Sequence, residues 1–136
     1  MLENGKLFTV GGAKGGSLGH DFGASPRNEN IPRQVLGLEN ENIVDISMAD
    51  SHAAAINDKG ELFVWGSYRH GKLGIEMEQA KVEGRRRRNS ISRNILKKPA
   101  KNPSFGVGTD LLQADKVHCT NQNTFIISKC HSSEIL

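Results

Sequence analysis

A few short stretches of the sequence carry residue types that could do chemistry. Residues 11–17 read Gly-Gly-Ala-Lys-Gly-Gly-Ser and superficially resemble a phosphate-binding loop, in which Gly, Lys and Ser cradle phosphate oxygens. The Gly-Lys-Ser/Thr ending of such loops is absent, and no helical pattern follows. We therefore expect these glycines to form turns, and we predict no nucleotide or other cofactor here.

The histidines and cysteines do not form a metal-binding motif. The five histidines lack paired spacing such as His-x-x-x-His; they are His20, His52, His70, His118 and His131. Cys119, Cys130 and His131 supply three nearby ligands, whereas a structural zinc site needs four. The two cysteines are expected to be unpaired thiols, and strand-end hydrogen bonding is the expected role of the histidines.

No local motif signals a catalytic triad or an isolated pair of carboxylates, so the sequence predicts a protein that is not an enzyme.

A basic segment stands out from the rest of the chain. Residues 77–104 contain nine of the 18 Lys and Arg residues and two of the 15 Asp and Glu residues, so their formal charge is +7, against −4 elsewhere. Charge repulsion and few apolar residues predict a disordered, solvated insertion.

Two functional interpretations of the basic segment are alternatives to a purely solvated loop. Arg87, Arg88 and Ser90 match a basophilic kinase site, and the run Arg85, Arg86, Arg87 and Arg88 could bind nucleic acid or an anionic surface, or act as a nuclear-import signal.

Composition places the chain among ordinary globular proteins, with 36% hydrophobic and 24% charged residues. No apolar run approaches the roughly 20 residues of a membrane-spanning helix, and the N-terminus lacks a signal-peptide pattern. The expected location is therefore cytoplasmic or nuclear.

An internal repeat indicates which strands and turns position the residues described above. Residues 5–19 align without gaps with residues 60–74, and seven of the fifteen positions are identical. The shared glycines are predicted to mark tight turns: Gly5, Gly11, Gly16 and Gly19, with their copies Gly60, Gly66, Gly71 and Gly74. Strand residues expected in the core are Leu7, Phe8, His52, Leu62, Phe63 and Trp65.

Short strands between turns predict an all-β fold. Residues 43–48 and 53–56 are further candidate strands, and residues 57–60 are a candidate hairpin turn. A unit of about four short strands suits a propeller blade, which buries its faces only against neighbouring blades.

The stretch Gly60-Glu61-Leu62-Phe63-Val64-Trp65-Gly66 with Gly71-Lys72-Leu73-Gly74 resembles the signature of the regulator of chromosome condensation repeat family. Residues 31–35, 43–46 and 52–56 resemble the rest of that repeat, in which a proline-containing strand precedes two core strands. The resemblance implies a β-propeller, a structural histidine at His52, and a full ring of about seven blades.

The second repeat is interrupted. Residues 117–127 align with residues 46–56 at an offset of 71 instead of 55, so an insertion of about 16 residues lies between them. We expect a partial propeller of about two four-stranded blades. It would be divided into residues 1–76 (first repeat and start of the second), 77–104 (basic insertion) and 105–136 (remainder of the second repeat and start of a degenerate third). Such a chain is expected to be a piece of a longer protein; the alternatives are that several copies associate to complete a ring, or that the chain is a degenerate remnant of a propeller.

The resemblance implies two functions of different classes. The first is a non-enzymatic module that binds other proteins. The second is guanine-nucleotide exchange on a Ran-like small GTPase together with chromatin association, as in the founding member of the family, which uses face loops spread over most of the ring.

Overall fold

The computed structural model describes residues 2–3, 5–20, 28–74, 95–108 and 111–128. Nine strands occur in these residues: β1 (Leu2–Glu3), β2 (Lys6–Gly11), β3 (Glu29–Gln34), β4 (Ile43–Met48), β5 (His52–Asn57), β6 (Leu62–Ser67), β7 (Ile95–Lys101), β8 (Ala114–Cys119) and β9 (Thr124–Ser128). Two short 3₁₀ turns, Lys14–Gly16 and Arg69–Gly71, follow β2 and β6. The all-β prediction is confirmed.

The strands form three antiparallel sheets of unequal size. They are β1-β2-β3, then the four-stranded sheet β4-β5-β6-β7, and last β8-β9. The predicted partial propeller is confirmed, with one refinement: the described residues hold one complete blade between two partial ones, not two complete blades. The reason is that the sequence repeat begins in the middle of a blade, so its boundaries do not coincide with those of the sheets.

The partial sheets repeat the register of the complete blade. Ile46 lies opposite Ala55 and Val117 opposite Ile126, so the β8-β9 pair copies β4-β5 at an offset of 71, with the same irregularity near its start. Thr9 pairs with Arg33 and Val64 with Ala100, which relates β2 to β6 by 55 residues and β3 to β7 by 67. The insertion is therefore split, with 12 extra residues before β7 and four after it.

The basic insertion is shorter than predicted. The charge pattern predicts disorder for residues 95–101, but they form strand β7, the outer strand of the complete blade. An outer strand tolerates proline and exposed lysine, because one row of its backbone groups faces away from the sheet. Pro99 of β7 corresponds to Pro32 of β3. Residues 75–94, which include Ser90 and the arginines 85–88, lie outside the described residues.

The hydrophobic core has two parts, one on each face of the complete blade. β5 and β6 supply both parts through alternate residues, since successive side chains of a strand point to opposite faces. One cluster lies between the first and second sheets and includes Ala53, Ala55, Phe63 and Trp65. The other lies between the second and third sheets and includes Ala54, Ile56, Leu62 and Val64. Because the complete blade contributes side chains to both clusters, it fixes the positions of the two neighbouring sheets.

Candidate interaction surface

Six of the repeated glycines lie outside the strands, whereas Gly11 and Gly66 lie in β2 and β6, next to an irregularity in the strand register and not in a tight turn. All eight have a positive φ between 63° and 118°: Gly5, Gly11, Gly16, Gly19, Gly60, Gly66, Gly71 and Gly74. Gly66 is also sterically restricted, because a Cβ atom there would lie 2.6 Å from the Cα atom of His52. At Gly66 both the backbone conformation and the close strand approach require glycine.

Trp65 holds the first two sheets together. Its side chain is 1% exposed, and its indole Nε1–H donates a hydrogen bond to the Ser17 carbonyl at 2.7 Å. The ring fits because Gly19 has no Cβ atom. A Cβ atom at this position would lie only 3.0 Å from the indole nitrogen. Of the strand residues expected in the core, Leu7, His52, Leu62, Phe63 and Trp65 are buried, whereas Phe8 is half-buried and belongs to neither hydrophobic cluster.

His52 links the second and third sheets. The Thr124 hydroxyl donates to the Lys72 carbonyl at 2.6 Å and therefore accepts the 3.0 Å bond from Nε2 of His52. The His52 ring thus carries its proton on Nε2. Burial, and then the charge of Lys72, lower the pKa of His52, so the ring is neutral at pH 7.

His20 is held in the same way in the first sheet. The Thr9 hydroxyl donates to the Leu18 carbonyl at 2.7 Å and contacts Nε2 of His20 at 2.8 Å. Burial, followed by the charge of Arg33, lowers the pKa of His20. Both histidines therefore have structural hydrogen-bonding roles in blade packing, as expected for His52 from the sequence.

Lys72 is a buried cation between two blades. Its ammonium group donates to the Ser51 hydroxyl at 2.7 Å and to the Asn121 carbonyl at 3.3 Å, and burial lowers its pKa. These bonds connect the β4–β5 loop to the β8–β9 loop, so Lys72 fixes the position of the third sheet.

Polar side chains of β4 also hold β8. The backbone N–H of Val117 donates to the Asp45 carboxylate and that of Cys119 to the Ser47 hydroxyl, each at 2.9 Å. Cys119 is a buried free thiol whose pKa is raised by burial, as the sequence predicted for an unpaired cysteine. Cys130 lies outside the described residues. Sequence reasoning missed the roles of Asp45, Ser47 and Thr124, which depend on contacts between blades.

The loops of the complete blade project at two ends. Antiparallel alternation places the loops after β2, β4, β6 and β8 at one end, which we call the basic end because the chain leaves β6 there for the basic segment. The other end carries the connections 35–42 and 102–113, which we call the apolar end. Hydrogen bonds from Asp58 N to Asn42 O and from Ala114 N to Gly60 O hold these loops against the β5–β6 turn.

The apolar end exposes large hydrophobic side chains. Leu36, Val107 and Leu112 are 50%, 68% and 55% exposed, and they belong to equivalent loops of adjacent blades. The loop at 102–113 includes the four extra residues after β7 and is shaped by a bridge between Phe105 and Leu112. Large exposed apolar side chains on loops of adjacent blades can supply a protein-binding surface.

Two features of the described ranges bear on membrane and metal binding. None of the helices described is long and apolar enough to cross a membrane. The same part of the chain contains no group of three or more His, Cys, Asp or Glu residues that could hold a metal ion.

The blade architecture and the repeated junction residues define a repeat protein of the β-propeller class. The model of the regulator of chromosome condensation (RCC1) repeat matches residues 4–56. Residues 4–56 therefore carry this repeat, and the strand register of β4-β5 recurs in β8-β9 through residue 128.

Similar proteins have the same repeat in a larger context. The human E3 ubiquitin-protein ligase HERC2 is 39% identical over 74 residues, which are 54% of this chain and 2% of HERC2. The bovine secretion-regulating guanine nucleotide exchange factor is 48% identical over 45 residues, 33% of this chain and 10% of that protein. The chain thus spans a tenth or less of these relatives.

A solved structure has the same fold. Prp20p of Saccharomyces cerevisiae, described together with its binding to Gsp1p and histones, superposes with a TM-score of 0.66 at 16% sequence identity. The match covers 84% of this chain and 25% of Prp20p.

Proposed function

We propose that this chain is a non-enzymatic protein-interaction module whose partner contacts the apolar end. The observation that carries the proposal is the exposure of Leu36, Val107 and Leu112 in loops of adjacent blades. Binding hot spots favour large side chains that become desolvated on association, and these three are available for that without any change in the blade cores. The basic segment then supplies long-range attraction to an acidic partner.

The test compares a variant of the apolar end with a variant of the basic segment. One replaces Leu36, Val107 and Leu112 by serine, and the other replaces Arg85, Arg86, Arg87 and Arg88 by alanine. Because Prp20p is described with its binding to Gsp1p, the probe is a Ran-type GTPase. We expect the serine variant to lose binding at every salt concentration, and the alanine variant to lose mainly its salt-dependent association rate. Equal binding by the serine variant and the unmodified chain would refute the apolar end as the contact surface.

A second candidate function is guanine-nucleotide exchange, which is favoured by the similarity to the bovine exchange factor. A nucleotide-release assay with a Ran-type GTPase separates the two functions. Binding without faster release of a fluorescent GDP analogue supports the module, whereas faster release supports exchange and identifies the chain as catalytic.

We further propose a nuclear or cytoplasmic location, with nuclear import aided by the arginine run 85–88. Phosphorylation at Ser90 would add nearly two negative charges among these arginines and weaken import. A fluorescent fusion checks this proposal, because replacing Arg85–Arg88 by alanine, or Ser90 by glutamate, should lower the nuclear fraction. An unchanged nuclear fraction in both variants would rule out this role for the segment.

A further inference from the structure

Lys72 brings a positive charge into the junction between the second and third sheets. The residue is 7% exposed, and its ammonium group donates to two neutral oxygens, those of the Ser51 hydroxyl and the Asn121 carbonyl. Asp50 precedes Ser51 but is exposed, and within the described parts of the chain no ion pair joins Lys72 to a carboxylate. A cation taken out of water without an opposite charge costs free energy, so a bound anion would stabilise the junction.

Arg69 adds a second positive charge beside the first. It begins the 3₁₀ turn Arg69–Gly71, which ends directly before Lys72, and the residue is exposed. Two hydrogen bonds hold this turn against the β4–β5 loop. The Arg69 N–H donates to the Ser67 hydroxyl at 3.4 Å, and the Ser67 N–H donates to the Ser51 carbonyl at 2.7 Å. The two cations and Ser51 therefore lie together at the basic end.

The effects of these charges on neighbouring groups are those of unpaired cations. Burial, followed by the charge of Arg69, lowers the pKa of Lys72. Burial, followed by the charge of Lys72, lowers the pKa of His52. Each cation thus disfavours a further positive charge next to it, and an anion at this place would relieve both effects.

A neutral residue can occupy the position of Lys72 in this fold. The equivalent residue of the first repeat, at the offset of 55, is Ser17, which is 4% exposed and carries no charge. Packing of the blades therefore does not require a cation here, and the buried charge is particular to the second junction.

We propose that Lys72, Arg69 and the Ser51 hydroxyl bind a phosphate group at the basic end of this junction. Ammonium and guanidinium groups donate charge-assisted hydrogen bonds to phosphate oxygens, and a phosphate monoester carries nearly two negative charges at pH 7, which matches the two cations. The Ser51 hydroxyl accepts from Lys72 and keeps its own hydrogen for the anion. This site is separate from the apolar end and goes beyond the proposed interaction function.

The first experiment is a calorimetric titration of the 136-residue chain at pH 7.5, with the ionic strength held constant by sodium chloride. The probes are inorganic phosphate and N-acetyl-phosphoserine amide. We expect saturable binding with a Kd of about 1 mM or tighter. Tighter binding of phosphoserine identifies a phosphorylated peptide as the source of the group, and tighter binding of inorganic phosphate identifies the free ion. No saturation by either probe up to about 20 mM would overturn the proposal.

Two variants that each remove one exposed positive charge show where the anion binds. Arg69→Gln removes the charge beside Lys72, whereas the control Lys59→Gln removes one from the β5–β6 turn at the apolar end. We expect at least about fivefold weaker binding for Arg69→Gln and an unchanged Kd for Lys59→Gln. Equal weakening by both would mean general attraction of anions to the chain and would contradict a site at Lys72. Lys72→Gln should abolish binding, and if circular dichroism shows that it unfolds, the Arg69 variant decides.

The histidines supply a readout that does not depend on affinity. Bound phosphate neutralises Lys72, so the pKa of His52 should rise, because one cause of its lowering is removed. His20 is the internal control, since its pKa is lowered by burial and then by Arg33 in the first sheet. Nuclear magnetic resonance titration of the ring protons measures both pKa values, in phosphate and in sodium chloride of the same ionic strength. A His52 pKa that is the same in both salts, or an equal rise at His20, would refute the proposed site.

Discussion

At the residue scale, blade packing depends on a few positions where the side chain cannot vary. Gly66 is the clearest, because its φ of 102° and its approach to His52 act together. Gly37 has a similar φ of 94°, but a Cβ atom there would meet nothing within 4 Å. Alanine at Gly37 therefore adds only the free-energy cost of the left-handed backbone conformation, whereas alanine at Gly66 adds the cost of a steric clash as well.

We expect Gly37→Ala to lower the free energy of unfolding by about 1–2 kcal/mol, the cost of a left-handed conformation for alanine. Gly66→Ala should cost about 3 kcal/mol or more, because the strands must also move apart. Urea unfolding followed by circular dichroism measures both values. Equal losses would mean that β5 and β6 can separate freely at this point.

The two buried histidines predict a dependence of stability on pH. The pKa values of His20 and His52 are lowered from 6.5 in the folded chain, chiefly by burial. The unfolded chain therefore binds more protons than the folded chain just below pH 6.5, and stability is lost as the pH falls through that range.

We expect the urea midpoint to change little between pH 7 and 8 and to fall between pH 6.5 and 5.5. A double variant, His20→Gln with His52→Asn, should show a smaller fall than the unmodified chain, although its midpoint at pH 7.5 is lower. Asparagine is chosen because Asn123 occupies the equivalent position in the third sheet. The same fall in both proteins would assign the effect to other groups.

At the scale of strands, the sequence was informative wherever glycine spacing and apolar residues coincided. The 55-residue repeat located β2 and β6, and the offset of 71 that related residues 46–56 to 117–127 reappears as an identical strand register. Strand β7 was missed, because its Lys and Pro residues resemble a linker and its pairing with β6 is set by tertiary structure. The contacts of Thr124 could not be predicted either, since they cross from one blade to the next.

A matched pair of positions tests the role of the first junction. Trp65 and Val10 occupy the same place in the repeat, but Trp65 is buried and Val10 is 52% exposed. Trp65→Ala should cost about 3–5 kcal/mol through lost packing. Trp65→Phe should cost about 1–3 kcal/mol, because the Ser17 carbonyl loses its donor.

Val10→Ala should change the free energy of unfolding by no more than about 0.5 kcal/mol. The three values come from urea unfolding followed by far-ultraviolet circular dichroism, which does not depend on tryptophan. A loss at Val10 comparable to that at Trp65 would show that another segment covers β2.

At the scale of the whole molecule, the central sheet couples its neighbours. Its two inner strands contribute alternate residues to both hydrophobic clusters, so neither cluster can be disrupted without exposing one face of the same strands. Lys72 and the β4 side chains add polar links to the third sheet. The described sheets should therefore behave as one cooperative unit in spite of their unequal sizes.

Two probes already present in the chain can test that cooperativity, since Trp65 lies in the first cluster and Cys119 in the second. In a Cys130→Ala variant, tryptophan fluorescence and the reaction of Cys119 with a thiol reagent should report the same urea midpoint. The reagent should react slowly in the folded chain, because the thiol is buried and its pKa is raised by that burial.

Measurement at several protein concentrations separates folding of a single chain from assembly, because assembly would raise the urea midpoint as the concentration increases. Exposure of Cys119 at lower urea than Trp65 would instead mean that the third sheet separates first.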